Sequence, residues 1–402
     1  MKQIPELPVT LRVGDALSVL ECRPLPPYSE QAVNFLSALS KALLALPASR
    51  QYPDIATFAY WCRSANLARM SRDFGKQYPR LGRGLVLHIA PANVPVNFAF
   101  SFAFGLLAGN ANIVRIPEAD FPQVEIICDE INRLFAMSEH SRIGAMNRLI
   151  RYPRSDEITG ILSAHCQARL LWGGDATITH LRKLPTHPRG VDIAFADRYS
   201  FCLMNPAAVV DADDREITEL TRGFFNDTFL LDQNACSSPH LVIWQGNEAQ
   251  AERAKDRFWS AMAEYLQERY NIAPVHAVDK FVNLCRAANT LSEATGSRRH
   301  DNLIYRVSLN ALPADIERHR GQYGFFYEYI TEDLSCLSEI VGERYQTLTS
   351  FGVDRDGLVQ QIIEQGLTGI DRIVPVGKAL DMGVIWDGYN LVQELSRIVS
   401  TA

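Results

Sequence analysis

The chain has 402 residues, of which 47% are hydrophobic and 21% charged, with a net charge of −6 and a pI near 5.9. That length fits roughly two to three domains whose core needs no disulfide or metal, and the composition lies far from that of disordered chains. There is no basic domain and no Lys/Arg run, which argues against a nucleic-acid partner, since such binding rests on clustered positive charge.

The opening residues, MKQIPELPVTLRVGD, lack the apolar stretch of a signal peptide. The longest apolar region, Phe98 to Leu107, is interrupted by Ser101 and Gly105 and is too short to span a bilayer. The expectation is a cytoplasmic protein without a membrane partner. Eight cysteines are present, none at CxxC spacing, so a zinc ribbon or a thioredoxin-type pair is not expected. Most have apolar neighbours and read as small buried hydrophobes. Cys236 lies instead in a polar loop.

In chain order, residues 30–46 and 54–70 carry apolar positions at helical spacing, the second starting at Asp54 after Pro53. From Gly84 the texture changes. Leu85–Ile89 reads as a buried strand, followed by a turn and a small-residue helix through Leu107. Asn112–Ile116 (strand), Gln123–Phe135 (helix), Arg148–Tyr152 (strand), Asp156–Ala164 (helix) and Ala168–Trp172 (strand) follow. Strands alternating with helices in this way imply a parallel sheet, with ligands at the carboxyl ends of the strands. A second α/β region begins near Met204, with helices expected over Asp211–Phe225, Glu248–Arg269 and Val278–Thr290. The C-terminal stretch mixes a strand-like run with a final helix. The expected organisation is residues 1–203 for N-terminal helices and a dinucleotide-binding domain, 204–385 for a catalytic domain, and 386–402 for a C-terminal helix.

Four segments carry chemistry. His88–Asn97 (HIAPANVPVN) ends a strand in a Pro- and Asn-rich turn before a helix. Such a turn presents backbone N–H groups and the Asn93 amide above the sheet, which suits an oxyanion; it also serves a purely structural end, with Asn93 as a helix cap. Leu107–Glu118 (LAGNANIVRIPE) delivers Arg115 at a strand end, either as a solvated side chain or over a nucleotide ribose or its phosphate, whose oxygens a guanidinium fork can bond in pairs. Trp172–Asp175 (WGGD) offers Gly173 and Gly174, where the backbone can approach a phosphate or a nicotinamide, although a tight turn alone also uses Gly-Gly and no GxGxxG fingerprint occurs here. Asp232–Pro239 (DQNACSSP) holds Cys236 in an accessible loop, where N–H donors would make its thiol nucleophilic; a chance loop cysteine is the alternative. His88 reads as a buried strand residue rather than a base, and His240 has no assigned role.

Together the four segments resemble those of the aldehyde dehydrogenase superfamily, and within it the LuxC-type acyl-CoA reductases. APANVP resembles the superfamily's strand-end Pro-x-Asn-x-Pro motif, LAGNANIVRIPE its Gly-Asn, strand, Lys-Pro segment with Arg115 in place of Lys, WGGD its nicotinamide turn, and DQNACSSP its Gln-x-x-Cys-x-x-Pro nucleophile loop. GIDRIVPVG and IWDG look typical of the LuxC-type branch. The resemblance covers residues 80–395.

The resemblance implies an aldehyde dehydrogenase-like α/β fold: two Rossmann-like domains with the active site at their interface. It implies Cys236 as covalent nucleophile, Asn93 as oxyanion donor, and a cofactor site including Pro91, Arg115, Glu118, Gly173 and Gly174. NADPH is expected over NADH from the family and from Arg115. The expected reaction is reduction of an acyl thioester, an acyl-CoA or similar, to an aldehyde through an acyl-Cys236 intermediate. Oxidising members carry a water-activating Glu at the start of the catalytic domain. Arg198–Met204 (RYSFCLM) has no carboxylate, with Asp197 just before it, as suits a reductase. Glu339 and Glu343 are the candidates for the superfamily's ribose-contacting Glu. The aromatic run Gly324–Ile330 (GFFYEYI) points to a fatty or other apolar acyl group. An adenylate-forming acyl ligase is the implied partner and a homo-oligomer the implied assembly. Two other readings share Cys236: an acyl-phosphate reductase of the same superfamily, and an acyltransfer subunit that performs no hydride transfer.

Overall fold

The structure is a computed structural model that describes residues 4–75, 77–92 and 94–400. The chain divides into two compact units, Met1–Ala196 with Met382–Ala402, and Asp197–Asp381.

The first unit is built on six strands: β1 (Thr10–Val13), β2 (Leu85–Ile89), β3 (Ala111–Arg115), β4 (Asn147–Arg151), β5 (Ala168–Trp172) and β6 (Val191–Phe195), in the order β1-β4-β3-β2-β5-β6. β1 runs antiparallel at the edge and the others are parallel. β2 and β5 are buried at every position, which explains their unbroken apolar texture. The expected helix over 54–70 is two helices, Pro53–Trp61 and Ser64–Phe74. The helix Asn97–Leu107 is apolar all round and wholly buried. β2, β3 and β4 progress to one side, and the chain then crosses back to place β5 and β6 on the other side of β2. The order therefore reverses between β2 and β5, and a crevice opens at the carboxyl ends of the strands at such a switch point.

One polar network lies inside this apolar layer. Asn112 donates through Nδ2 to Asn110 O (3.0 Å) and Asn147 Oδ1 (2.7 Å), so its Oδ1 must accept from His88 Nε2 at 2.9 Å. His88 Nδ1 is then the acceptor for Ser101 Oγ–H at 2.8 Å, and Ser101 Oγ accepts from Trp172 Nε1 at 3.1 Å. His88 is thus a fully buried neutral imidazole, with burial pushing its pKa down to about 4.

The second unit carries seven strands: β7 (Tyr199–Met204), β8 (Pro239–Gln245), β9 (Ala294–His300), β10 (Ile304–Leu309), β11 (Phe325–Thr331), β12 (Tyr345–Phe351) and β13 (Arg372–Pro375), in the order β9-β10-β11-β8-β7-β12-β13. Only β9 is antiparallel. Alternate residues feed two cores: Phe201, Leu203, Leu241 and Ile243 on one face, Cys202, Met204, Val242 and Trp244 on the other. The helix expected over Asp211–Phe225 runs from Asp214 to Thr228, because Asp213 and Glu216 form a capping box that fixes its start.

Two boundaries differ from the sequence reading. The second unit begins at Asp197, since β7 pairs with β8 and β12 and a division at Met204 would cut off that strand. In place of the helix expected over 386–402, the described residues 386–400 hold one turn, Leu391–Glu394, followed by a strand, Ser396–Ile398, that pairs with Arg80–Gly82.

The His88 network sets a stability expectation. The folded imidazole stays neutral to about pH 4, whereas the unfolded one takes a proton below its ordinary value of 6.5. Its contribution is therefore complete above pH 6.5 and is lost as pH falls toward 4, by about 3 kcal/mol at most. Urea unfolding of His88→Leu should show a loss of roughly 2–3 kcal/mol at pH 7.5, from the Asn112 and Ser101 groups left unpaired. It should also show a smaller further loss than the parent between pH 6.5 and 4.

Candidate active site

In the first unit the sequence-predicted cofactor residues lie along one sheet edge. Ile89 is in register with Arg115 on β3 and with Leu171 on β5, so the segments that follow or close these three strands are side by side. Pro91 follows β2, Arg115 ends β3 with Glu118 three residues beyond it, and Gly173 and Gly174 follow β5. Asn93 lies outside the described residues. Around Gly174 a Cβ would meet nothing within 4 Å, so the turn presents an open backbone face. Gly174 is also the N-cap of the helix Asp175–Arg182, with no side chain bonded to the cap. An open glycine turn at a helix start, at the switch point of a parallel sheet, fits the phosphate or nicotinamide portion of a dinucleotide. Arg115 donates to Tyr152 O through Nε (3.3 Å) and Nη2 (3.1 Å), lies over the Tyr152 ring, and pairs through Nη2 with Glu118. The guanidinium is held in place at the strand end rather than loosely solvated.

In the second unit the nucleophile loop lies at the amino ends of β7, β8, β11 and β12. Asp232 and Gln233 both adopt the left-handed region, with φ of 52° and 61°. Two such non-glycine residues in succession cost about 1–3 kcal/mol each and need support. Gln233 supplies it. Its side chain is buried, donates to Pro239 O (2.8 Å) and Phe325 O (2.9 Å), and accepts from Gly324 N (3.0 Å) and Phe325 N (3.2 Å). That is the full capacity of a primary amide. Asp232 is held in turn by Tyr270 Oη, which donates to Oδ1 at 2.6 Å, and by Tyr323 N, which donates to its carbonyl at 3.1 Å.

Cys236 is half-buried in the loop so fixed. Its carbonyl accepts from Ser200 Oγ at 2.7 Å, and Ser200 Oγ accepts from Thr347 N at 3.1 Å, which ties the loop to β7 and β12. Gln346, fully buried on β12, donates through Nε2 to Cys236 Sγ at 3.4 Å. A donor aimed at sulfur favours the thiolate over the thiol. By contrast, burial pushes the thiols of Cys22, Cys128 and Cys202 up to about 11, 12 and 12, which leaves them inert. Sequence reasoning missed Ser200 and Gln346. The only local sign of Gln346 is a polar residue in an otherwise inward-facing strand.

Cys236 opens on a cavity of about 340 Å³ lined also by Asp197, Gln233, Asn234, His240, Asn283, Arg320 and Gln322. Asp197, the carboxylate nearest the start of β7, accepts from Arg320 Nη1 at 2.8 Å and faces Arg344 Nη1 at 3.5 Å. His240 donates through Nδ1 to Gly321 O at 2.9 Å; burial, with Arg320 nearby, pushes its pKa down to about 3, so Nε2 is an acceptor. The aromatic run Gly324–Ile330 does not line this cavity. Phe325 and Tyr327 face one core and Phe326 the other, while Glu328 is bonded by Trp244, Trp259 and Arg306, because strand alternation turns these side chains into the two cores. Glu339 and Glu343 are exposed, with no contact to Cys236 among the described bonds. Among the described residues there is no cluster able to hold a metal ion, and no helix is long and apolar enough to cross a membrane.

Comparison with known proteins adds three findings. A family model described as acyl-CoA reductase (LuxC) matches residues 69–398. A long-chain acyl-protein thioester reductase of Vibrio harveyi is 25% identical over 178 residues, which are 43% of this chain and 34% of that protein; the match spans about a third of the relative's length. Solved aldehyde dehydrogenases share the fold. The NAD-dependent benzaldehyde dehydrogenase of Corynebacterium glutamicum is similar with a TM-score of 0.60 at 14% identity, covering 92% of this chain and 85% of its own. The NADP-dependent glyceraldehyde-3-phosphate dehydrogenase of Bacillus halodurans, solved with NADP, has a TM-score of 0.58 at 14% identity, covering 92% and 85%. The α/β, aldehyde dehydrogenase-like architecture expected from the sequence is the one found.

The Gln346 contact can be read in thiol chemistry alone. Replacing it, Gln346→Leu, should slow alkylation of Cys236 by iodoacetamide about tenfold at pH 7, the value of one hydrogen bond to the thiolate. Labelling of exposed Cys285, followed by peptide mass analysis in the same sample, should stay constant.

Proposed function

The chain belongs to the acyl-CoA reductase (LuxC) family, and from that premise we propose that it reduces an acyl thioester to an aldehyde, with Cys236 as covalent nucleophile and NADPH as reductant. The observation that carries this reading is the Cys236 thiol itself: half-buried at a cavity, in a loop fixed by Gln233, with the Gln346 amide donating to its sulfur.

The Cys236 sulfur attacks the thioester carbonyl carbon. A carbon–sulfur bond forms and the carbonyl electron pair moves to oxygen. Asn93, on the strength of the motif it occupies, is the side-chain donor for that oxyanion, and the Cys236 backbone N–H is the second. Collapse expels the carrier thiolate and leaves an acyl-Cys236 thioester. NADPH, when bound, supplies hydride to the acyl carbon. The resulting thiohemiacetal oxyanion collapses to aldehyde and returns the electron pair to Cys236 sulfur, where Gln346 again donates to the thiolate.

Pro91, Gly173, Gly174, Arg115 and Glu118 are the proposed cofactor residues, supported by their common sheet edge and by the open face of Gly174. Survival of the acyl-enzyme is supported by the absence of a water-activating carboxylate on β7, and the nearby Asp197 is ion-paired with Arg320 and Arg344. The same pairing disfavours an acyl phosphate of a small acid, since the cavity's guanidinium is already neutralised. An adenylate-forming ligase remains the proposed source of the activated acyl group.

Cys236→Ala should abolish both the acyl adduct, read by intact mass, and NADPH oxidation at 340 nm with acyl-CoA substrates. Persistent turnover in that variant would sink the scheme, and an adduct in the parent without NADPH oxidation would favour acyl transfer. For the cofactor, Arg115→Ala should raise KM for NADPH about tenfold while changing KM for NADH by less than twofold, the difference expected from losing a fork on the extra phosphate.

A further inference from the structure

The cavity beside Cys236 differs in chemistry from a hydrocarbon tunnel. Apart from the Ala235 methyl, the residues that line it with the thiol are polar. Three of them present groups that no described residue satisfies. His240 uses Nδ1 on Gly321 O and leaves Nε2 as an acceptor. Asn283 accepts from Arg286 Nη1 at 3.3 Å and leaves its Nδ2 donors. Gln322 donates to Asn234 and leaves its own Oε1. An unsubstituted alkyl chain would cover these groups and return no hydrogen bond, whereas a hydroxyl both donates and accepts. The volume, about 340 Å³, lies at the small end of ligand pockets.

We propose that the acyl group reduced by this enzyme is short and hydroxylated, a hydroxyacyl thioester rather than a fatty one, with its hydroxyl bonded by His240, Asn283 and Gln322. The inference rests on the acyl-thioester reading above and names the substrate class of that site.

The test compares 3-hydroxybutanoyl-, butanoyl- and tetradecanoyl-CoA at the same carrier, reading the rate of Cys236 acylation by intact mass and NADPH oxidation at 340 nm. The parent should acylate with 3-hydroxybutanoyl-CoA at least about tenfold faster than with butanoyl-CoA and about a hundredfold faster than with tetradecanoyl-CoA, as sites built around a substrate hydroxyl do. Asn283→Leu and Gln322→Leu, on half-buried and exposed positions, should each bring the first ratio to within about twofold. Equal or faster acylation by butanoyl- or tetradecanoyl-CoA would overturn the inference and leave the reductase reading standing. So would variants that slow all three thioesters by one factor, because the cavity would then hold the carrier arm. No adduct from any thioester would overturn the reductase reading itself, and this inference with it.

Discussion

The second unit depends on one buried amide. Gln233 occupies a strained backbone conformation directly after another, at φ values that only a few residue types visit readily. Its side chain compensates by filling all four of its hydrogen-bonding positions with main-chain groups of Pro239, Gly324 and Phe325. These partners open β8 and β11, so the loop is referenced to the sheet rather than to solvent. Cys236 follows three residues later, and its carbonyl is fixed independently by Ser200 from β7. The sulfur therefore sits at a point set by three adjacent strands. Preorganisation of this kind is what a covalent nucleophile needs, because small displacements of an attacking atom cost large factors in rate.

The first unit solves a similar problem for its glycine turn. Gly173 and Gly174 give an open backbone, which on its own would be loose. The residue before them, Trp172, is the least mobile kind of anchor: its ring stacks on Phe195 with centroids 3.7 Å apart, and its Nε1 is held by Ser101 on the buried helix Asn97–Leu107. Ser101 is oriented by His88, and His88 by Asn112. The flexible turn thus springs from a fixed origin, and the chain of hydrogen bonds that fixes it passes through a histidine whose role is structural.

What the sequence makes legible follows from which interactions are local. The four central strands of the first sheet were readable because they are almost wholly buried and bounded by turn residues, and Ala168–Trp172 is found as expected, whereas the partly exposed outer strands Thr10–Val13 and Val191–Phe195 were not predicted. The helix Glu248–Arg269 is likewise found as expected, helped by its Asn247 cap. The four segments singled out for their chemistry each lie at the end of an element, where residue type is set by turn geometry and capping. The long-range features were not. Gln346 is 110 residues from the sulfur it touches, and Gln233 is 92 from Phe325. Only the fold brings them together. The aromatic run Gly324–Ile330 shows the opposite failure: its composition is that of a ligand pocket, but period-two alternation in a sheet with two covered faces sends its rings into the two cores.

The same distinction bears on hydrolysis. A free carboxylate next to an acyl-enzyme would draw a proton from water and release the acid. Asp197 lines the cavity that contains Cys236, so proximity alone does not protect the intermediate. On the proposed reading its protection comes from two arginines. Arg320 is itself held by Glu317 O at 3.0 Å, and from that fixed point it occupies one Asp197 oxygen while Arg344 faces the other. In the proposed scheme these ion pairs keep the cavity's carboxylate turned toward the arginines. For the hydroxyacyl group proposed above, neutral amides and a neutral imidazole are better partners than ionised side chains, and those are the groups that Asn283, Gln322 and His240 supply to the cavity.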